Sequence, residues 1–236
     1  MIQIDATNRA LLIRGTCRGL AGRRGIAIRV GPFKVLAPSR QRYVSLIPDL
    51  DKTSTSYATE GATLRSILGD AMRTVIEKVK ERLDLETLDQ NPPATSASNE
   101  TSVVQMATFG DRRILLTADV GPEGLDEAAL YAENFSLIIE PNLVQMPHHG
   151  SGRNVTPGVL NRWLGPFPAV GRGHAVASVG KDEDIYPRKT VANAFTRRGY
   201  SVYSTQGGWI NFVHGYDRRA GMIDAPVIPF SPDVED

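Results

Sequence analysis

Two adjacent histidines, His148 and His149, are the residues of this chain best suited to chemistry, and they lie in the run Pro-His-His-Gly-Ser at 147–151. A glycine directly after two imidazoles favours a tight turn with at least one ring pointing inward. Neutral imidazole is the commonest protein ligand of zinc, and together with carboxylates it also suits manganese or iron. The alternative is a histidine pair packed and hydrogen-bonded on a loop. Since the chain has only four histidines, their concentration here favours a metal or catalytic role.

A carboxylate, Asp119, ends the run Leu-Leu-Thr-Ala-Asp at 115–119. An apolar strand that ends in Asp delivers the carboxylate to the edge of the sheet, where ligand sites gather in α/β folds. An ionised carboxylate there needs a cation, hydrogen-bond donors or water, because burying it alone is costly. The alternative, which this motif by itself favours, is that Asp119 caps the turn before Gly121.

The other two histidines and a pair of adjacent arginines are expected to have structural or surface positions. His174 is expected as a satisfied core or edge residue, His214 as exposed, and the pair Arg197 and Arg198 as solvated surface.

The single cysteine excludes an internal disulfide and a cysteine-based zinc site. No apolar run approaches the ~20 residues that span a bilayer, so no membrane association is expected. The single cysteine fits a cytoplasmic location, which is therefore expected. A net charge of +1 gives no bulk electrostatic argument for nucleic acid.

Hydrophobic periodicity indicates the elements that must position these residues. Alternating β and α signals predict a layered α/β fold. Gly110 and Asp111 predict a hairpin turn, and Thr156 before Pro157 predicts a helix start. The predicted strands are 102–107, 113–117, 143–146, 174–179 and a last pair at 200–204 and 209–213; the predicted helices are 123–132, one starting at 157, and 187–198.

The upstream part of the chain reads as further elements of the same domain, which we expect to span 1–236. Short strands are predicted at 11–14, 26–30 and 33–36, followed by a helix at 40–47 with Ser39 as its N-cap. Apolar residues at spacings of three and four predict a long helix at 63–83, packed on the core or on a partner. A flexible connector is predicted at 84–98.

Four segments, in order, resemble motifs of the ComEC-type metallo-β-lactamase-fold hydrolases. Residues 99–104 (NETSVV) resemble the family's Asn-x-x-Ser-Val-Val strand, and 113–119 are similar to its Leu-Leu-Thr-Gly-Asp strand. Residues 147–151 resemble its Pro-His-His-Gly-Ser turn, and 177–180 (ASVG) the strand that follows. The resemblance implies the four-layer αββα fold. It also implies that Asp119 bridges two metal ions, zinc being expected, and that His149, or His148, binds one of them.

Three departures from the family pattern qualify that expectation. No histidine precedes His148, so the family's first metal motif, His-x-His-x-Asp-His, is absent. The chain is therefore expected to be the C-terminal half of the fold, with the N-terminal metal-motif half missing. Ala118 stands where the family has glycine, and Tyr186 stands before Pro187 where the family often has histidine. Tyr186 would donate a hydrogen bond to an oxyanion as histidine would, or it marks a decayed site.

The number of metal ligands that this chain supplies distinguishes the functional hypotheses. A catalytic zinc takes about three protein ligands and an open position, whereas Asp119 and His149 supply two. The leading hypothesis is a metal-dependent hydrolase acting on phosphodiesters or nucleic acid, with little activity unless a partner chain or an N-terminal segment supplies the missing ligands. The alternatives are a non-catalytic subunit that binds a partner protein through the helix at 63–83, and a split enzyme completed by another chain.

Overall fold

A mixed β-sheet of seven strands forms the centre of the fold, which we describe from a computed structural model. The structure describes residues 2–5, 29–30, 32–50, 82–137, 140–213, 217 and 220–234. Strands in this sheet are adjacent in the order in which they follow along the chain. Their bounds are β2 Arg29–Val30, β3 Phe33–Ala37, β4 Val104–Phe109, β5 Arg112–Leu116, β6 Leu143–Gln145, β7 Ala169–Ala177 and β8 Arg198–Ser204.

The direction of the strands changes once across the sheet. From β2 to β5 neighbouring strands are antiparallel, and from β5 to β8 they are parallel. Strands β4 and β5 form the predicted hairpin, in which Phe109 pairs with Arg112 and Gly110 adopts φ 61°. The α/β class predicted from the sequence is confirmed.

Helices connect the parallel strands and cover one face of the sheet. The helices are α1 Arg40–Leu46, α2 Ala97–Glu100, α3 Pro122–Asn134, α4 Pro157–Leu164 and α5 Lys189–Arg197, with 3-10 turns at Ile47–Asp49, Pro147–Gly150 and Gly152–Asn154. Because crossovers between parallel strands are right-handed and the strand order advances in one direction, α3, α4 and α5 lie on the same face. Their apolar residues form the main core with Leu115, Val144 and Ala175 of the sheet.

The predicted helix starts are confirmed by their caps. Ser39 Oγ accepts from Arg42 N at 3.1 Å at the start of α1. Thr156 Oγ1 accepts from Val159 N at 3.3 Å at the start of α4, where Pro157 is the first helical residue. In both cases a side-chain oxygen satisfies one of the backbone donors that the first turn of a helix leaves free.

The second face of the sheet carries a smaller apolar cluster with strand β9, Trp209–Phe212. The sequence predicted a final pair of strands at 200–204 and 209–213, and this pairing is wrong. Strand β9 instead pairs antiparallel with β1, Ile2–Asp5, in a separate two-stranded sheet. A turn in which Gly208 N donates to Thr205 O at 2.7 Å leads β9 away from β8. Ile210 can thereby cover the apolar face.

Arg197 and Arg198 are buried, so their predicted position on the solvated surface is wrong. Their exposed fractions are 1% and 0%. Arg198 Nη1 lies 2.5 Å from Glu86 Oε1, and its Nε donates to Asn161 Oδ1 at 3.0 Å. Arg197 Nε donates to the carbonyl of Arg82 at 3.1 Å. Burial is tolerated because a buried charge that is paired and hydrogen-bonded avoids most of its desolvation cost.

Residues 84–98, predicted as a flexible connector, contain no long helix or strand, but they are attached to the fold. Glu86 pairs with Arg198, Leu88 is buried in the main core, and Ser96 is the N-cap of α2. How mobile the segment is stays a prediction.

Several sequence predictions fall on residues outside the described ones. These are the strand at 11–14, most of the strand at 26–30, and the helix at 63–83 apart from its last two residues. Within the described part of the chain, no helix has both the length and the apolar character needed to cross a membrane.

Candidate functional site

The sequence motifs meet at one edge of the sheet. Strands β5, β6 and β7 are parallel, so their carboxyl ends share an edge, and they are followed by Asp119, by His148 and His149, and by Ser178. Strand β4 runs in the opposite direction, so Asn99, which precedes it, lies at the same edge. The carboxyl edge of parallel strands is where α/β proteins bind ligands.

Backbone strain is concentrated in the two loops that carry the predicted site. Of the six non-glycine residues with positive φ among the described residues, three are Ala118 (48°), His148 (45°) and His149 (61°). Such conformations cost on the order of 1–3 kcal/mol each, and they cluster at functional sites. The loops are joined directly, because His148 N donates to Ala118 O at 3.0 Å.

Two side-chain amides, which no sequence motif indicates, hold the Asp119 loop. Gln145 Oε1 accepts from the backbone N of Thr117 at 3.2 Å and of Ala118 at 3.1 Å. Asn154, which is 1% exposed, donates through Nδ2 to Asp119 O at 2.9 Å and to Val120 O at 3.1 Å. The only sequence signal for Gln145 and Asn154 is that they lie close to the His-His turn. Amide side chains near turns are too common for this signal to show that Asn154 binds Asp119, 35 residues earlier.

His149 presents a free nitrogen lone pair. Its Nδ1 lies within hydrogen-bond distance of the carbonyl oxygen of Ser178, which can only accept, so Nδ1 carries the proton. Whenever this ring is uncharged, its lone pair is on Nε2. Metal-binding histidines typically donate their other ring N–H to a carbonyl or carboxylate in this way. The ring of Tyr186 lies beside it, with ring centroids 6.0 Å apart.

The ring of His148 is contacted by the side chain of Asn99. Its Nδ1 lies 2.9 Å from Asn99 Nδ2. Burial is the main cause that lowers the pKa of His148; the charge of His149 adds to this effect, while the carboxylates of Asp119 and Glu183 oppose it. The imidazole of His148 is therefore neutral over a wider pH range than a free histidine.

A buried carboxylate, Glu100, braces the segment that follows Asp119. Arg42 Nη2 donates to Glu100 Oε2 at 2.9 Å, and Gly124 N, in the first turn of α3, donates to the same oxygen at 2.9 Å. Thr95 Oγ1 donates to the other oxygen. A negative charge at the N-terminus of a helix is stabilising, so Glu100 ties α1 and α2 to the start of α3.

The donor set fits part of a zinc site. The side-chain types of Asp119 and His149, a carboxyl group and an imidazole, are both ordinary zinc ligands. Within the described residues, no group of three or more His, Cys, Asp and Glu side chains is arranged to hold a metal ion. The described chain therefore offers fewer ligands than the roughly three that a catalytic zinc takes.

The other predicted histidines lie apart from this arrangement or outside the described residues. His174 is exposed on the second face of the sheet, where its ring centroid lies 5.7 Å from Tyr203 and 5.4 Å from Phe212. Partial burial, and then the charge of Arg112, lower the pKa of His174. His214 falls outside the described residues.

Comparison with known proteins gives no significant match: no family model, no curated protein and no solved structure is similar to this chain. The resemblance to the ComEC-type hydrolases therefore rests on the four sequence motifs alone. What the structure adds independently is that Asp119, His148 and His149 follow adjacent parallel strands and are linked through Ala118 O.

Proposed function

We propose that this chain is the C-terminal half of a metallo-β-lactamase-fold, metal-dependent hydrolase, and that Asp119 and His149 are its metal ligands. The observation that carries the proposal is the state of His149. Its Nδ1–H is committed to the Ser178 carbonyl, so Nε2 has a lone pair for a metal ion. The resemblance to the ComEC-type proteins suggests a phosphodiester or nucleic-acid substrate.

The surroundings of these two residues suit rigid metal binding. Asp119 lies in a loop fixed by Asn154 and Gln145, and His149 lies in a turn of left-handed residues closed by Gly150, whose φ is 86°. A zinc ion bound there would polarise a substrate oxygen and lower the pKa of a bound water. A rigid pair of ligands loses little conformational freedom on binding the ion, which favours affinity.

The proposal requires ligands from elsewhere. Histidines occur only at positions 148, 149, 174 and 214, so the chain has no upstream His-x-His motif. A catalytic zinc with two protein ligands would be held weakly. We therefore propose that a partner chain, or a segment preceding this sequence, supplies the remaining ligands across the same edge of the sheet.

A non-catalytic subunit is the second candidate. The absence of a three-residue ligand group among the described residues favours it, and so do the substitutions Ala118 and Tyr186 relative to the family pattern. In this case the strained turns would persist as structural elements, and the chain would act by binding a partner protein.

Cleavage of a chromogenic phosphodiester in the presence of zinc separates the two candidates. The hydrolase proposal predicts slow, zinc-dependent cleavage that disappears in both Asp119→Ala and His149→Ala. The matched control is His174→Ala, which removes an imidazole from the second face of the sheet and should leave the rate unchanged. Equal, zinc-independent rates in all variants, or no zinc bound by the wild-type chain, would favour the non-catalytic subunit.

A further inference from the structure

The side-chain amide of Asn99 determines which nitrogen of His148 carries a proton. Asn99 Nδ2 lies 2.9 Å from His148 Nδ1. An amide nitrogen only donates, so Nδ1 of the neutral ring accepts and the proton lies on Nε2. The second ring nitrogen of His148, Nε2, is therefore an N–H donor.

The neighbouring His149 has the opposite arrangement. The Ser178 carbonyl accepts from its Nδ1, and the lone pair is on Nε2. The two rings lie 5.5 Å apart between centroids and are inclined at 76°. Consecutive residues of one turn thus present one hydrogen-bond donor and one potential metal ligand.

We infer that Asn99 is a positioning residue that holds His148 in the Nε2–H form, so that His148 donates a hydrogen bond to an anionic ligand oxygen beside the metal ligand His149. The ligand class is an oxyanion, such as a phosphoryl group, because the turn combines a nitrogen proposed to bind metal, His149 Nε2, with an N–H donor, His148 Nε2. The ligand class rests on the proposed function. The tautomer does not, because it follows from the Asn99 contact alone.

The backbone of Asn99 is fixed, which makes this contact specific. Asn99 N donates to Ser96 Oγ at 3.0 Å, and Asn99 O accepts from Ser102 N at 2.9 Å. The next residue, Glu100, is buried and anchored to α3 through Gly124 N. Helix α2 therefore contacts His148 through Asn99 and the start of α3 through Glu100.

The test is a long-range ¹H–¹⁵N correlation spectrum of the metal-free chain with labelled histidine, at a pH where both imidazoles are neutral. We expect the proton of His148 on Nε2 and that of His149 on Nδ1. In Asn99→Asp the new carboxylate accepts from Nδ1–H, so the proton of His148 should move to Nδ1. Asn134→Asp, an exposed substitution at the end of α3, is the matched control and should change neither ring.

Two titrations extend the test to ligands. Inorganic phosphate should shift the His148 Nε2–H resonance in the wild-type chain and not in Asn99→Asp. Zinc affinity should fall by about tenfold or more in His149→Gln, whereas His148→Gln should leave it nearly unchanged.

A proton on Nδ1 of His148 in the wild type overturns the inference, and so does an unchanged tautomer in Asn99→Asp; if that variant does not fold, the wild-type spectrum alone decides. Absence of a phosphate shift in the wild type overturns the assignment of His148 as an anion donor. Opposite tautomers in a chain that binds no zinc would support the role of Asn99 and contradict the proposed function.

Discussion

Replacing Ala118 by glycine should stabilise the protein. Ala118 adopts φ 48° in the loop before Asp119, and its side chain is exposed, so removing the methyl group loses no buried contact. A left-handed conformation costs an L-residue about 1–2 kcal/mol, whereas the added freedom of glycine in the unfolded chain costs about 0.5–1 kcal/mol. The expected net gain in the free energy of unfolding is therefore about 0.5–1 kcal/mol.

Urea denaturation of the wild type and Ala118→Gly measures this difference. The backbone bonds of Ala118 to Gln145 Oε1 and from His148 N remain in the variant, so the native loop is preserved. Ala97→Gly, in the helical first turn of α2, is the matched control and should lose about 0.5–1 kcal/mol. If both variants lose similar stability, the left-handed backbone at Ala118 and the strain argument for the site are refuted.

Two further predictions concern the support of the site and the second face of the sheet. Gly121→Ala should destabilise by about 1–3 kcal/mol in urea denaturation, because a Cβ there would overlap the buried carboxylate of Glu100. Gly152→Ala has open space and should be nearly neutral, so equal effects would contradict the packing. In an NMR titration, His174 should have a pKa below its ordinary value, because partial burial and the charge of Arg112 disfavour the protonated ring. The contribution of His174 to stability is therefore present above the ordinary histidine pKa and is lost as the pH falls from there through the lowered pKa of the folded protein. Arg112→Ala should raise the pKa of His174, and a decrease would contradict the assigned cause.

Local signals in the sequence predicted the local parts of the structure. Ser39 and Thr156 were identified as helix caps because the capping side chain and the backbone N–H that it binds lie within three residues. Asp119 and His149 were selected because a polar ligand type directly followed an apolar strand, and parallel strands place such ends together. These inferences need only spacing and strand direction.

Features that depend on distant partners were not predicted. Arg198 was expected on the surface because its partner, Glu86, lies 112 positions earlier, and a pair of adjacent arginines gives no sign of it. The pairing of β9 with β1 joins two strands, Ile2–Asp5 and Trp209–Phe212, that are far apart in the sequence. The motif at 99–104 indicates Asn99, but the bond of Asn99 to His148 depends on the antiparallel course of β4, which places the segment before β4 at the edge of the sheet where β5 ends.

Zinc binding to the purified chain tests the central claim most directly. A competition titration against a chromophoric chelator would compare the wild type with Asp119→Ala, His149→Ala and the control His174→Ala. The account predicts weak binding by the wild type and by His174→Ala, and a loss of affinity of about tenfold or more in each of the other two variants. Equal affinity in all four proteins, or no zinc bound by the wild type, would contradict the assignment of Asp119 and His149 as metal ligands.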